Sequence, residues 1–256
     1  ISLIAVFLLF QLKPDFVSGR KALSLDMMSI FLLLLIFISL VVVGIAISNS
    51  RDIFAIVALL IFGVSIIGYW AVFKRRGLGV VNLNLFTKTN YLFASIGQGL
   101  TNFILYSLLF ATPLFLIDMR DINHQVVSFL LFIIFAGSLV TTPIGGVLAD
   151  RLGWRYPIVL GSIILLVGSV ALTIVLQAPI ILFFIPFVLI GTGIGLTGAA
   201  RSAAALQAWP PTIAGSAAGT YSLSRYIGSI ISTAIMAAVL GVSPTVTSFL
   251  IFFSIL

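Results

Sequence analysis

Apolar residues in this chain gather into runs of about 20, the length a helix needs to cross a hydrocarbon core. The runs are separated by short clusters of charge, proline and glycine. A partial run covers Ile1 to Gln11, and full spans are predicted near Met27 to Ser48 and Ile53 to Phe73. Five more are predicted near Tyr91 to Ile117, Gln125 to Ala149, Pro157 to Leu176, Ile180 to Ala200 and Ile213 to Leu240. A last partial run begins near Thr245, so both ends of the sequence are expected to fall inside helices.

Composition turns this pattern into an exclusion. With 61% hydrophobic and 7% charged residues, against roughly 25% charged in ordinary soluble domains, a water-soluble fold is ruled out. The net charge of +7 would suggest nucleic acid in a soluble protein, but the basic residues sit in alternate short loops. One side holds Lys13, Arg20, Lys21, Lys74, Arg75, Arg76, Lys88, Arg151, Arg155 and Arg201, and the other only Arg51 and Arg120. Ten against two assigns the first side to the cytoplasm of an inner or plasma membrane. Nucleic acid is not an expected partner; the lipid bilayer is.

The same residues limit the chemistry. The chain has no cysteine, no glutamate and a single histidine, His124, in an external loop with Asp118, Arg120 and Asp121. No metal cluster, disulfide or nucleophile with a base can be assembled, so neither an enzyme nor a cofactor is implied. The aspartates Asp15, Asp26, Asp52, Asp118, Asp121 and Asp150 all fall in predicted loops or at helix ends.

Polar groups inside the spans are few and therefore informative. The pair of helices from Met27 to Phe73 carries little beyond serines and Tyr69, which suits helices facing lipid all round. The next span places Gln98, Asn102 and Tyr106 at intervals of four, on one helix face. That face either lines a substrate cavity or bonds a neighbouring helix. Arg225 lies within the Ile213 to Leu240 span, where a central guanidinium costs roughly 2.5 to 3.5 kcal/mol on insertion scales. It is expected to face a cavity, or to snorkel or bond helix carbonyls. Gly193 to Gly198 contains a literal G-x-G-x-x-G, but no strand precedes it, so nucleotide binding is rejected. Gly191, Gly195, Gly215, Gly219 and Gly228 are expected instead to permit close helix packing or bending.

The most specific motif is Gly146-Val147-Leu148-Ala149-Asp150-Arg151-Leu152-Gly153-Trp154-Arg155, between the second and third spans after Tyr91. Gly146 permits close helix approach, Gly153 a tight turn, and Asp150 can meet the positive end of the following helix or a nearby arginine. Pro157 suits that helix's first turn. Contacts of this kind form in one conformer and break in another, making a cytoplasmic gate; a static charged turn is the competing reading. The motif resembles the signature loop of the major facilitator superfamily, departing from it at Trp154, where a basic residue is usual. Leu83 to Phe86, and Ala214 to Gly219 with Arg225 and Gly228, extend the resemblance over nearly the whole chain.

The resemblance implies an all-α integral membrane protein of the major facilitator superfamily fold, and within it the fourteen-helix drug–proton antiporter branch. Residues 1–11 would end the last helix of the N-terminal half, and 12–90 would hold cytoplasmic loops and two linker helices, at about 27–48 and 53–73. Residues 91–256 would form the six-helix C-terminal transport half, its last helix incomplete. The implied activity is alternating access with outward export of lipophilic or cationic compounds against inward proton flow, by a monomer. Its partners would be a small-molecule substrate, protons and the N-terminal half of the same chain, which in this branch carries the coupling carboxylates. A facilitator or symporter for one metabolite or peptide, or a membrane scaffold or sensor that does not transport, would carry the same pattern.

Overall fold

The computed structural model describes residues 27–48, 52–76, 81–241 and 244–256. The predicted Ile1 to Gln11 run, with Lys13, Arg20, Lys21, Asp15, Asp26 and Arg51, lies outside them. Among the described residues the structure is helical: α1 (Met27–Ser48), α2 (Asp52–Arg76), α3 (Thr89–Pro113), α4 (His124–Leu152), α5 (Arg155–Val175), α6 (Phe184–Gln207), α7 (Ala214–Leu240) and the short α8 (Val246–Ser254). Tight 3-10 turns at Leu83–Thr87, Ile180–Phe183 and Pro211–Ile213 lead into α3, α6 and α7, and a π-helical turn at Leu114–Met119 extends α3. Seven of these helices, α1 to α7, are long and apolar enough to cross a membrane.

Several predicted ends move, for a common reason. Hydropathy falls where a span meets the interface, but a helix stops only where the backbone is broken. α4 runs past Ala149 to Leu152, so Asp150 and Arg151 belong to its last turn, and Gly153 at φ 83° ends it. α6 runs past Ala200 to Gln207, because Ala-rich Ala199–Ala205 continues the helix without a breaker. Arg201 is therefore not a loop residue; it lies within α6 and is buried, only 4% exposed. α8 starts as anticipated near Thr245, whose hydroxyl caps it by accepting from Ser248 N–H at 3.2 Å.

The helices meet in a defined order. α6 packs along both α4 and α5, α3 packs along α7 and more lightly on α6, and the α1–α2 hairpin docks through α1 onto α7. Small residues make these contacts possible, since apolar surface alone gives helices in lipid no reason to associate. A Cβ on Gly195 would lie 2.6 Å from the Ser138 carbonyl of α4, and one on Gly44 would lie 2.6 Å from the Ala234 carbonyl of α7. At Gly228 a Cβ would collide with the Gly99 carbonyl of α3. An aromatic core of Phe115, Phe183, Phe187, Phe249 and Phe252 closes one end of the bundle. Tyr91, Leu85, Ala205, Ala217 and Tyr221 form a smaller core at the end that carries Lys88 and Arg155.

Outward-facing side chains such as Ile53, Leu139 and Ile174, each 76% exposed, are apolar, a surface that suits lipid and not water. At the end away from Lys88, Arg120 donates to the Leu176 and Ala178 carbonyls at 3.2 and 2.8 Å, tying the end of α3 to the turn after α5.

Candidate functional site

Polar side chains within the bundle concentrate where α3, α6 and α7 meet. The α3 backbone there carries Gly97 and Gly99, which let its neighbours approach, so the polar groups beside them reach across helices. Tyr221 of α7 donates its hydroxyl to Gln98 Oε1 of α3 at 3.0 Å. Tyr91 donates to the Ala217 carbonyl of α7 at 2.7 Å, and further along the same seam the Ser107 and Ser232 hydroxyls meet at 2.8 Å. These bonds cross a seam where an unpaired hydroxyl would have lipid or apolar side chains around it.

The anticipated face of Gln98, Asn102 and Tyr106 is thus split by the fold. Gln98 is half-buried and tied to Tyr221. Asn102 is buried and turns back on its own helix, donating Nδ2 to the Gln98 carbonyl at 3.0 Å. Tyr106 sets its ring against Phe110, with centroids 6.1 Å apart. Arg225 stands one turn beyond Tyr221 on α7, exposed and within electrostatic reach of it. Gly215, Gly219, Ser222 and Tyr226 continue that exposed face of α7, where small and polar residues stand beside the Tyr226 ring.

A second guanidinium lies deeper. Arg201 of α6 donates Nη1 to Thr101 Oγ1 of α3, and Thr101 donates in turn to the Gly97 carbonyl at 2.9 Å. Gly97 makes room: a Cβ there would lie 3.2 Å from Arg201 Nε. Counting Arg201 as loop charge hid this residue, and with it Thr101. The usable signal was the uninterrupted Ala-rich helix former sequence around Arg201, with no proline until Pro210.

At the signature loop, Asp150, Arg151 and Gly153 are exposed, and Arg155 sits 5.2 Å from the Trp154 ring centroid. No side chain caps the N-terminus of α5, so the Asp150 contact anticipated there is not closed in this conformer. Gly146 has open space around its Cβ position; its neighbour Gly145 makes the tight approach to Leu196 of α6. Gly215 and Gly219 likewise face open space, whereas Gly191, Gly195 and Gly228 sit in tight interhelical contacts. Among the described residues no group of His, Cys, Asp or Glu is placed to hold a metal ion.

Comparison with known proteins bears on what such a bundle does. Residues 71–233 match the family described as Major Facilitator Superfamily. The chain is 30% identical over 151 residues, 59% of its length, to the uncharacterized MFS-type transporter YwoD of Bacillus subtilis, covering 33% of that protein. It is 29% identical over 167 residues, 65% of its length, to the multidrug resistance protein Stp of Mycobacterium tuberculosis, covering 31% of it. A further B. subtilis MFS-type transporter, YvkA, is 24% identical over 185 residues. The chain spans about a third of the length of these curated relatives.

Proposed function

Because the chain belongs to the Major Facilitator Superfamily, we propose that it forms the C-terminal half, with two linker helices, of a secondary transporter of the fourteen-helix branch. It exports small organic compounds by alternating access, with protons moving inward. The observation that carries this reading is the polar face of α3 and α7, where half-buried Gln98 and exposed Ser222 and Arg225 sit on a membrane-crossing bundle whose exposed side chains are mostly apolar. A polar face of this kind, left open, needs water, a ligand or a complementary helix surface. The similarity to a relative named for multidrug resistance supports organic compounds as cargo.

In this reading the exposed small-residue face of α7 lines the transport path. Gln98, held by the buried Tyr221, hydrogen-bonds the substrate, and Arg225 orients an electron-rich group on it. The signature loop works as a latch: Asp150 at the end of α4 reaches the uncapped N-terminus of α5 in one conformer and releases it in the other. Among the described residues no aspartate side chain lies mid-membrane, so the proton-binding group would be supplied by residues beyond them.

Proteoliposomes of the full-length protein with an imposed pH gradient test the proposal. Saturable collapse of the gradient by a lipophilic cation such as ethidium, lost in Asp150→Asn, is the expected result. No collapse by any of a panel of cationic, neutral and anionic compounds, in folded and oriented protein, would overturn proton-coupled export.

A further inference from the structure

On the α5 side of α3, away from the Gln98–Tyr221 bond, a cavity of about 320 Å³ opens between α3, α5 and α6. Its polar lining comes from Asn90, Arg155, Ser162 and Arg201, with Trp154 and Gly97 beside them. Its remaining wall is apolar, contributed by Phe93 and Ile158. We propose that this cavity binds the phosphate of an anionic phospholipid from the leaflet on the basic, cytoplasmic side.

Three observations lead there. The first is charge. Arg201 is 4% exposed, and among the described residues its one hydrogen bond goes to a neutral hydroxyl. No carboxylate lines the cavity beside the two guanidiniums. A buried guanidinium in a membrane calls for an anion, and its planar fork matches a phosphate.

The second is depth. Asn90 and Arg155 lie in the first turns of α3 and α5, beside Trp154, while Lys88 sits 5.6 Å from the Trp209 ring centroid. Tryptophan and basic residues of this kind mark the headgroup level. Gly97, opposite Arg201, is seven residues below Asn90, about 10 Å along the helix axis at ~1.5 Å per residue. The cavity therefore runs from the headgroup level to the top of the acyl region. A phosphate drawn inward to Arg201 and Arg155 stays connected to its own bilayer there.

The third is the wall. Phe93 is 67% exposed, an apolar flank that would repel a free inorganic anion but lies naturally along an acyl chain.

The test uses purified, delipidated full-length protein in neutral detergent, with thermal unfolding titrated by phosphatidylglycerol, phosphatidylcholine and inorganic phosphate. Phosphatidylglycerol is expected to raise Tm saturably and the other two to have little effect. Arg201→Gln and Arg155→Gln should each weaken the apparent affinity for phosphatidylglycerol roughly tenfold or more, as loss of a charge-assisted bond does. Arg155 is exposed, so its variant reports on the site even where Arg201→Gln fails to fold. An unchanged titration in Arg155→Gln would overturn the site. A matching Tm rise with inorganic phosphate alone would overturn the lipid as its source. Because the readout is lipid binding, it stands or falls independently of any transported compound.

Discussion

Tyr221 and Gln98 illustrate how much one hydroxyl can organise in a membrane bundle. Their bond crosses from α7 to α3 at 3.0 Å, and such interhelical bonds contribute about 0.6 kcal/mol on average, up to roughly 1.7. Tyr221→Phe and Gln98→Ala are each expected to destabilise the protein by about 1 kcal/mol and, in a double-mutant cycle of unfolding in detergent, to show coupling of about 0.5 kcal/mol or more. Additive losses would mean that the pair does not act together. Arg225 differs, because it is exposed. Replacing it should cost little folding. We expect Arg225→Ala to lower transport turnover far more than the yield of folded protein, and Arg225→Lys to keep part of the turnover, since charge persists without the planar fork. Parallel loss of yield and turnover would return Arg225 to a structural role.

At the scale of helices, glycine position separates packing from path. Gly228 lies against the Gly99 backbone, whereas Gly219 on the same helix has open space at its Cβ position. Gly228→Ala should therefore destabilise the α3–α7 contact by roughly 1 to 3 kcal/mol, the cost of overpacking. Gly219→Ala should stay within about 0.5 kcal/mol of the parent. Comparison of their thermal unfolding checks this, and equal losses would contradict the packing seen here. The same distinction bears on the latch. α4 ends at Leu152 with Gly153 at φ 83°, and α5 begins at Arg155 without a side-chain cap. An aspartate at the last turn of α4 opposes that helix's dipole but suits the start of the next. Asp150→Asn should slow transport by roughly fivefold or more if the contact biases the two conformers, with folded yield unchanged. Undiminished transport would leave Asp150 a static turn residue.

For the molecule as a whole, the layers follow from which helices carry small residues on two sides. α6 is held between α4 and α5, and α3 lies along α7, with the α1–α2 hairpin attached at the rim through Gly44. A face of α7 lined by Gly215, Gly219, Ser222 and Tyr226 stays open. In a superfamily whose substrate path runs between two halves, that open face predicts that residues 1–256 alone, reconstituted in liposomes, move no substrate; measurable flux by them would contradict the proposed path.

The sequence by itself determined the membrane, the helices and their family. Run length and the near absence of charge are one-dimensional properties, and the bilayer selects on them directly, as does the Gly146 to Arg155 motif by its order. Helix ends were less legible, because hydropathy marks the interface while Gly153 and the Ala-rich stretch after Ala200 mark where the backbone stops or continues. Tertiary structure alone decided the polar network. Gln98, Asn102 and Tyr106 share a spacing, yet they part toward Tyr221, their own helix and Phe110. Arg201 counted as loop charge until α3 supplied Thr101 and the room at Gly97. Which hydrogen-bond partner a buried polar group finds depends on the neighbouring helix, and that neighbour lies more than a hundred residues away for Tyr91, Gln98 and Ser107.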